Sequence, residues 1–203
     1  NEAFPVIATD KNNNVIVTGY TPSFNFPVVN PYQPFIGGGI QGDIFISSFD
    51  DSGNIKWSTY LGGSSDEFTP VIAIDKNDNV LVAATTGSPD VPTFSPIQGW
   101  GGGIYDIVVS SFSSNGSINW CTFLGGDNSE SNPLITTDDN NNVIVTGGTA
   151  STDLYTTANA IQTTYSGGFL QLDGFATSYN ATCDSIIWST YFAGDFGFGS
   201  GDS

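Results

Sequence analysis

The chain contains no histidine and no arginine, and its only basic side chains are Lys11, Lys56 and Lys76. Without histidine it lacks the usual base near neutral pH, and without arginine it lacks a bidentate clamp for anions. Against the three lysines stand 20 acidic residues, a formal net charge of -17. Such a surface repels phosphate backbones and anionic lipid, so no nucleic-acid or membrane-surface partner is expected. No apolar run reaches the 18 residues that would span a bilayer, so no membrane insertion is expected, and no basic-then-apolar N-terminus reads as a signal peptide. The two cysteines, Cys121 and Cys183, are placed near the outer rim of adjacent units. A bridge needs Cα atoms within about 7 Å, and isolated thiols are the expectation.

What the sequence has in abundance is repetition. Asp10-Lys-Asn-Asn-Asn14-Val-Ile-Val-Thr18-Gly returns at Asp75 to Ala84 and again at Asp138 to Gly147. Ile55-Lys-Trp57-Ser-Thr-Tyr-Leu-Gly-Gly63 returns around Trp120 and Trp188. The tryptophans are 63 and 68 residues apart and the aspartates 65 and 63, so the chain is three copies of one unit. A fixed period of this kind signals stacked units, none of which buries its apolar faces alone. The units are read as residues 1–65, 66–128 and 129–203. The first opens at the start of a copy without an initiator Met, and the expectation is a segment of a longer array.

Each unit holds four short strand-like runs, in the first copy Pro5 to Thr9, Asn14 to Gly19, Asp43 to Phe49 and Ile55 to Leu61. Asp-x-Asn-x-Asn and Asp50-Asp-Ser-Gly53-Asn54 are short enough for hairpin turns, and no window sustains a helical period. Val15-Ile-Val17 and Ile44-Phe-Ile46 are apolar on successive residues, which requires both sheet faces to be covered. These features predict an all-β protein of three four-stranded antiparallel blades, a β-propeller, which closes with about four to eight blades. Three blades belong to a larger ring. Further blades are favoured to complete it, the other route being two chains that pair to give six.

The pattern Asp-x-Asn-x-Asn-Val-Ile-Val-Thr-Gly, then Asn25-Phe-Pro27, Gln33, Gly-Gly and Asp43-x-Phe45, then Trp57-Ser-Thr-Tyr-Leu-Gly-Gly, resembles the SBBP-type β-propeller repeat of bacterial secreted and surface proteins. The resemblance covers essentially the whole chain. It departs at Asn13 and Asn14, where the family often has Gly, at Ala83-Ala84, and in blade three, which has Tyr155-Thr156 for Phe-Pro and a longer last turn, Ser178 to Ser185. The resemblance implies a surface scaffold and carries no catalytic residues.

Tracing the strands puts the Asp10 and Asp50 turns on one face, face two, and the long middle connections on the other, face one. Glu2, Glu67 and Glu130 each precede a proline by three residues and are expected in an acidic ring at the axial mouth of face one, a solvated rim or a site for cations or a basic partner. Asp10, Asn12 and Asn14, with Asp75, Asn77, Asn79, Asp138, Asn140 and Asn142, have a spacing that supplies oxygen ligands to calcium. An EF-hand loop needs Gly at its sixth position and Glu at its twelfth; here Val15 and Thr21 stand there, so hairpins stabilised by Asx hydrogen bonds are preferred to calcium. Asp43, Asp106 and Asp173 recur as caps of backbone N–H groups at a strand start.

Tyr32, Phe35, Trp100 and Tyr165 in the long connections suit stacking on sugars or a protein hot spot, or fold back onto their own blades. The expectation is a non-catalytic, extracellular or cell-surface module with an adhesive or structural role, without a cofactor, binding a surface glycan, a protein or further blades. The alternative is a carbohydrate-active enzyme using the non-recurrent carboxylates Asp90, Asp153 and Asp195. The sequons Asn115-Gly-Ser117 and Asn180-Ala-Thr182 mark exposed turns.

Overall fold

The computed structural model describes residues 2–167 and 172–194. Twelve strands and no helix are found among them. The first blade is β1 (Ala3–Thr9), β2 (Val15–Thr21), β3 (Asp43–Phe49) and β4 (Ile55–Leu61). The second is β5 (Glu67–Ile74), β6 (Val80–Thr86), β7 (Asp106–Phe112) and β8 (Ile118–Leu124). The third is β9 (Glu130–Thr137), β10 (Val143–Thr149), β11 (Asp173–Tyr179) and β12 (Ile186–Phe192). Each is an antiparallel meander in chain order, and β1, β5 and β9 lie side by side as the inner strands of a propeller.

The inner strands begin earlier than the sequence predicts. Phe4, Thr69 and Asn132, each just before a proline, sit at φ 52°, 51° and 52°, and the pairing register slips across the same positions. Each is a β-bulge that accommodates the proline, which has no N–H to donate, and lets pairing resume upstream. Three equivalent left-handed residues in three inner strands are a built feature of the repeat.

The core lies between blades. Ile16, Ile44, Ile46, Trp57 and Leu61 of the first blade meet Val80, Val82, Val108, Phe112 and Phe123 of the second in one buried cluster. Leu81, Ile107, Val109, Trp120 and Leu124 meet Val145, Phe175, Tyr179 and Tyr191 in the next. The middle blade is covered on both faces, and every residue of β6 and β7 is buried. That explains strands that are apolar on successive residues.

The three tryptophans occupy equivalent strand positions but not equivalent environments. Trp57 and Trp120 are buried, whereas Trp188 is half-buried, because no described blade comes after the third. The cysteines also sit deeper than the outer rim the sequence suggests. Both are free thiols buried in the interblade clusters, and burial pushes each up to about 12. Cys121 replaces the serine that in the other blades forms a buried hydroxyl pair, Ser47 with Ser58 and Thr177 with Ser189.

Candidate functional site

The expected acidic ring is not a solvated rim. Glu67 and Glu130 are fully buried at the junctions between blades; Glu2, on the uncovered face of the first blade, is exposed. The bulge next to each glutamate turns the entering strand, so that the side chain lies in the junction instead of at the mouth. Glu67 accepts hydrogen bonds from Thr86 Oγ1 and the Gly63 N–H. Glu130 accepts from Thr149 and Ser151 hydroxyls and the Gly126 N–H. Glu2 is gripped by the matching Thr21 and Ser23.

A second carboxyl from the preceding blade meets each buried glutamate. Asp43 Oδ2 accepts from Gln33 Nε2 and the Gly37 N–H, and Asp106 Oδ2 from the Gly101 N–H, as the capping role predicts. Asp173 Oδ2 accepts from the Ser166 N–H in the same way. Asp43 Oδ1 and Asp106 Oδ1 are buried without a hydrogen-bond partner. A Cβ on Gly125 would stand 2.5 Å from both Asp106 Oδ1 and Glu130 Oε2, so those oxygens are no more than about 5 Å apart. Gly62 is wedged in the same way between Asp43 and Glu67. Two buried carboxylates at that range cannot both ionise cheaply. Burial, with the charge of Asp43 adding to it, pushes Glu67 up to about 7. Burial and Glu130 push Asp106 up to about 7, burial pushes Asp43 up to about 6, and burial raises Glu130. A proton on one member of each pair would relieve that repulsion.

The Asp-x-Asn-x-Asn turns are closed by their own side chains. Asp10 Oδ1 accepts the N–H groups of Asn12 and Asn14, and Oδ2 accepts Asn14 Nδ2; Asp75 with Asn77 and Asn79, and Asp138 with Asn140 and Asn142, repeat this. The Asn142 amide holds the Asp138 carboxyl below its usual range. Carboxylate oxygens committed to N–H donors are not arranged as a calcium cage, and no group of three or more acidic or cysteine side chains among the described residues is placed to hold a metal. The turns are also tied to each other. Lys11 donates from its backbone to Asp78 and from Nζ to the Lys76 carbonyl, and Lys76 reaches Asn141 and Asp139 in the same sense. Together they line a polar cavity of about 650 Å³ at the axial mouth of face two.

Asp90 and Asp153, read from the sequence as non-recurrent, prove to be equivalent. Each Oδ1 accepts a backbone N–H from the connection entering its blade, from Ser64 and Asp127 respectively, and the Ser64 N–H holds Asp90 below its usual range. Asp195 lies outside the described residues. Of the four aromatics, Tyr32 packs edge-on against Phe112 and donates to the Pro92 carbonyl, Trp100 packs against Phe123, and Tyr165 against Tyr191. These three fold back onto the blades, while Phe35 is 78% exposed.

Other apolar side chains take the exposed positions on the loop face. Ile40 and Ile104, each just after three glycines, are 91% and 68% exposed. The glycine runs that carry them are pressed against the next connection; a Cβ on Gly37 would stand 2.3 Å from the Gly63 carbonyl oxygen. Sequence reasoning passed over both isoleucines, although their recurrence after Gly-Gly-Gly was the available signal. Near the axis, Phe4, Pro5, Thr69, Pro70, Pro133 and Leu134 line a more apolar cavity of about 340 Å³. Face one thus presents rigidly held apolar groups, and face two presents closed polar turns.

Residues 56–89 match the family model described as SBBP, beta-propeller repeat. An uncharacterized WD repeat-containing protein of Acanthamoeba polyphaga mimivirus is 34% identical over 97 residues, which cover 40% of this chain and 7% of that protein. The chain therefore spans a small part of that relative's length. The matched segment runs from the last strand of the first blade to just past the second strand of the next, across the junction that holds Asp43 and Glu67. The chain carries the SBBP-type β-propeller repeat.

Proposed function

We propose that this chain is a non-catalytic propeller module of a secreted or cell-surface protein, with an adhesive or structural role, and that it engages a surface glycan or protein partner through face one. The observation that carries the reading is the exposure of Phe35, Ile40 and Ile104 on connections whose backbone is clamped by close glycine contacts. Rigid apolar anchors on a scaffold suit recognition, since little ordering entropy is lost when they are covered. A catalytic reading has less support. The loop carboxylates Asp90 and Asp153 are occupied as caps, and no histidine is present to share a proton with them.

The test is binding to an immobilised glycan panel and to intact cells, comparing the wild-type chain with a Phe35→Ala, Ile40→Ser, Ile104→Ser variant. These side chains are exposed, so folding should be unchanged while binding falls at least tenfold. Full retention by the triple variant, with loss when the Asp50 and Ser113 turns are altered instead, would assign recognition to face two.

A further inference from the structure

Charge is segregated between the two faces. Lys11 and Lys76 sit in the β1–β2 and β5–β6 turns and Lys56 at the start of β4, so all three lysines lie on face two. At the blade junctions of face one the accessible charged groups are carboxylates alone, Asp66 and Asp90 at the first junction and Asp127 and Asp153 at the second. The exposed isoleucines stand among them. Gly39 and Gln41 flank Ile40; the Gln41 N–H donates to Asp66 Oδ1 at 2.6 Å, and a Cβ on Gly39 would stand 2.4 Å from the same oxygen. Ile104 follows Gly103, where a Cβ would be 2.3 Å from the Asn128 carbonyl oxygen, one residue beyond Asp127. Each isoleucine is thus carried on backbone pressed against the connection that bears the acids. The Thr152 N–H holds Asp127 below the usual carboxylate range, and the Ser64 N–H holds Asp90 there, so both are ionised at neutral pH. Both junctions have a described blade on either side.

We propose that face one docks a cationic segment of a protein partner, in which Lys or Arg side chains flank apolar ones. This rests on the reading of face one as the binding face and names its partner. The apolar anchors supply the contact, and the charge around them selects the occupant: an apolar group with a positive charge beside it is attracted, whereas acidic or sulfated ligands are repelled. A neutral glycan would gain nothing from the segregation of charge. The carboxylates are already held by backbone N–H groups, so pairing them with a partner costs little side-chain entropy. One isoleucine with two carboxylates recurs at successive junctions, so a segment with recurring basic and apolar residues engages both units at once.

Fluorescence anisotropy of labelled peptides with the 203-residue chain tests this. A peptide alternating Lys and Leu should bind, one of lysine alone should bind at least tenfold more weakly, and one alternating Glu and Leu should not bind. Raising salt from about 0.05 M to about 0.5 M should weaken the Lys-Leu peptide at least tenfold. Ile40→Ser with Ile104→Ser should weaken it at least tenfold. Asp66→Asn with Asp127→Asn should weaken it at least fivefold, since asparagine keeps an oxygen for the Gln41 and Thr152 N–H groups and removes only the charge. Asp51→Asn with Asp139→Asn removes the same charge from exposed positions on face two and should change binding less than twofold. No binding of the Lys-Leu peptide, or equal loss from the two aspartate pairs, would overturn the proposal. Cell or glycan binding that is lost in the isoleucine variant but ignores salt and the Asp66 and Asp127 changes would also overturn it, while leaving face one as the binding face. Loss of that binding on altering face two alone would overturn both.

Discussion

Glu67→Gln isolates one of the buried carboxyl pairs, and the structure sets the sign and size of its effect. Glu67 is fully buried and pushed up to about 7, against 4.5 for the unperturbed group. An acid whose folded pKa is raised binds more protons in the native than in the unfolded state between those two values. Its contribution to stability is therefore fully present below about 4.5 and is lost as pH rises through about 7. At about 1.4 kcal/mol per pKa unit, Glu67 accounts for at most about 3.5 kcal/mol across that window. Glutamine keeps the shape and carries no charge at any pH, and its oxygen can still accept the Gly63 N–H.

The assay is urea unfolding monitored by the fluorescence of the buried tryptophans, at steps from about pH 5 to pH 8. The wild type should lose stability toward pH 8, and Glu67→Gln should lose less, so that the difference between them grows with pH by up to about 3 kcal/mol. Exposed carboxylates held low by hydrogen bonds, such as Asp50 and Asp138, act below this window and cancel in the difference. Curves for the two proteins that stay parallel from pH 5 to pH 8 would refute the shared proton. Asp43→Asn provides the independent check from the other side of the pair.

Tyr179 occupies the place of Phe49 and Phe112 at a strand end, and its buried hydroxyl has no partner. Tyr179→Phe should raise stability by about 1 kcal/mol or more in urea unfolding. Gly116→Ala should cost about 2 to 3 kcal/mol, because the new Cβ meets Trp57 and the backbone is left-handed; the indole fluorescence should shift to the red. Asp138→Ala removes three hydrogen bonds from an exposed turn and should lower the melting temperature by a few degrees. EDTA should leave the wild-type melting temperature within about a degree, because the turn carboxylates are satisfied by N–H donors; a large drop restored by calcium would contradict this.

The repeat made the fold readable, since three copies in register show which letters belong to strands and which to turns. The doubly apolar run Ile44-Phe-Ile46 announced covered faces, whereas Val15 and Val17 of a like run are only half-buried, and the Asx turns at Asp10, Asp75 and Asp138 close as their composition dictates. The glutamates were misplaced for a specific reason. Glu-x-x-Pro reads as a polar strand entry, and nothing local reveals that a bulge at φ near 52° will direct Glu67 into a junction against Asp43, 24 positions away. The pairing is nevertheless written in the repeat. Asp43, Gly62 and Glu67 recur as Asp106, Gly125 and Glu130, and a glycine kept between two in-register acids marks a close approach.

Periodicity has a second blind spot, at the ends of the stack. It assigns the same role to every copy of a letter, whereas burial depends on whether a neighbouring blade covers that copy. Trp57 and Trp188 share the sequence Trp-Ser-Thr-Tyr, yet one ring is sealed by a glycine turn and the other is half-open. The same holds for Glu67 and Glu2, whose threonine and serine partners are matched while their exposures are opposite. In a propeller each residue's energetics belong to a junction shared by two blades. A substitution at a repeated position should therefore cost most where a neighbouring blade covers it and least on an open face. Trp57→Ala should destabilise the fold by several kcal/mol, on the order of 3 to 5, and Trp188→Ala by a fraction of that in the isolated chain. Equal costs for the two would show that burial in the junction does not govern the stability of this stack.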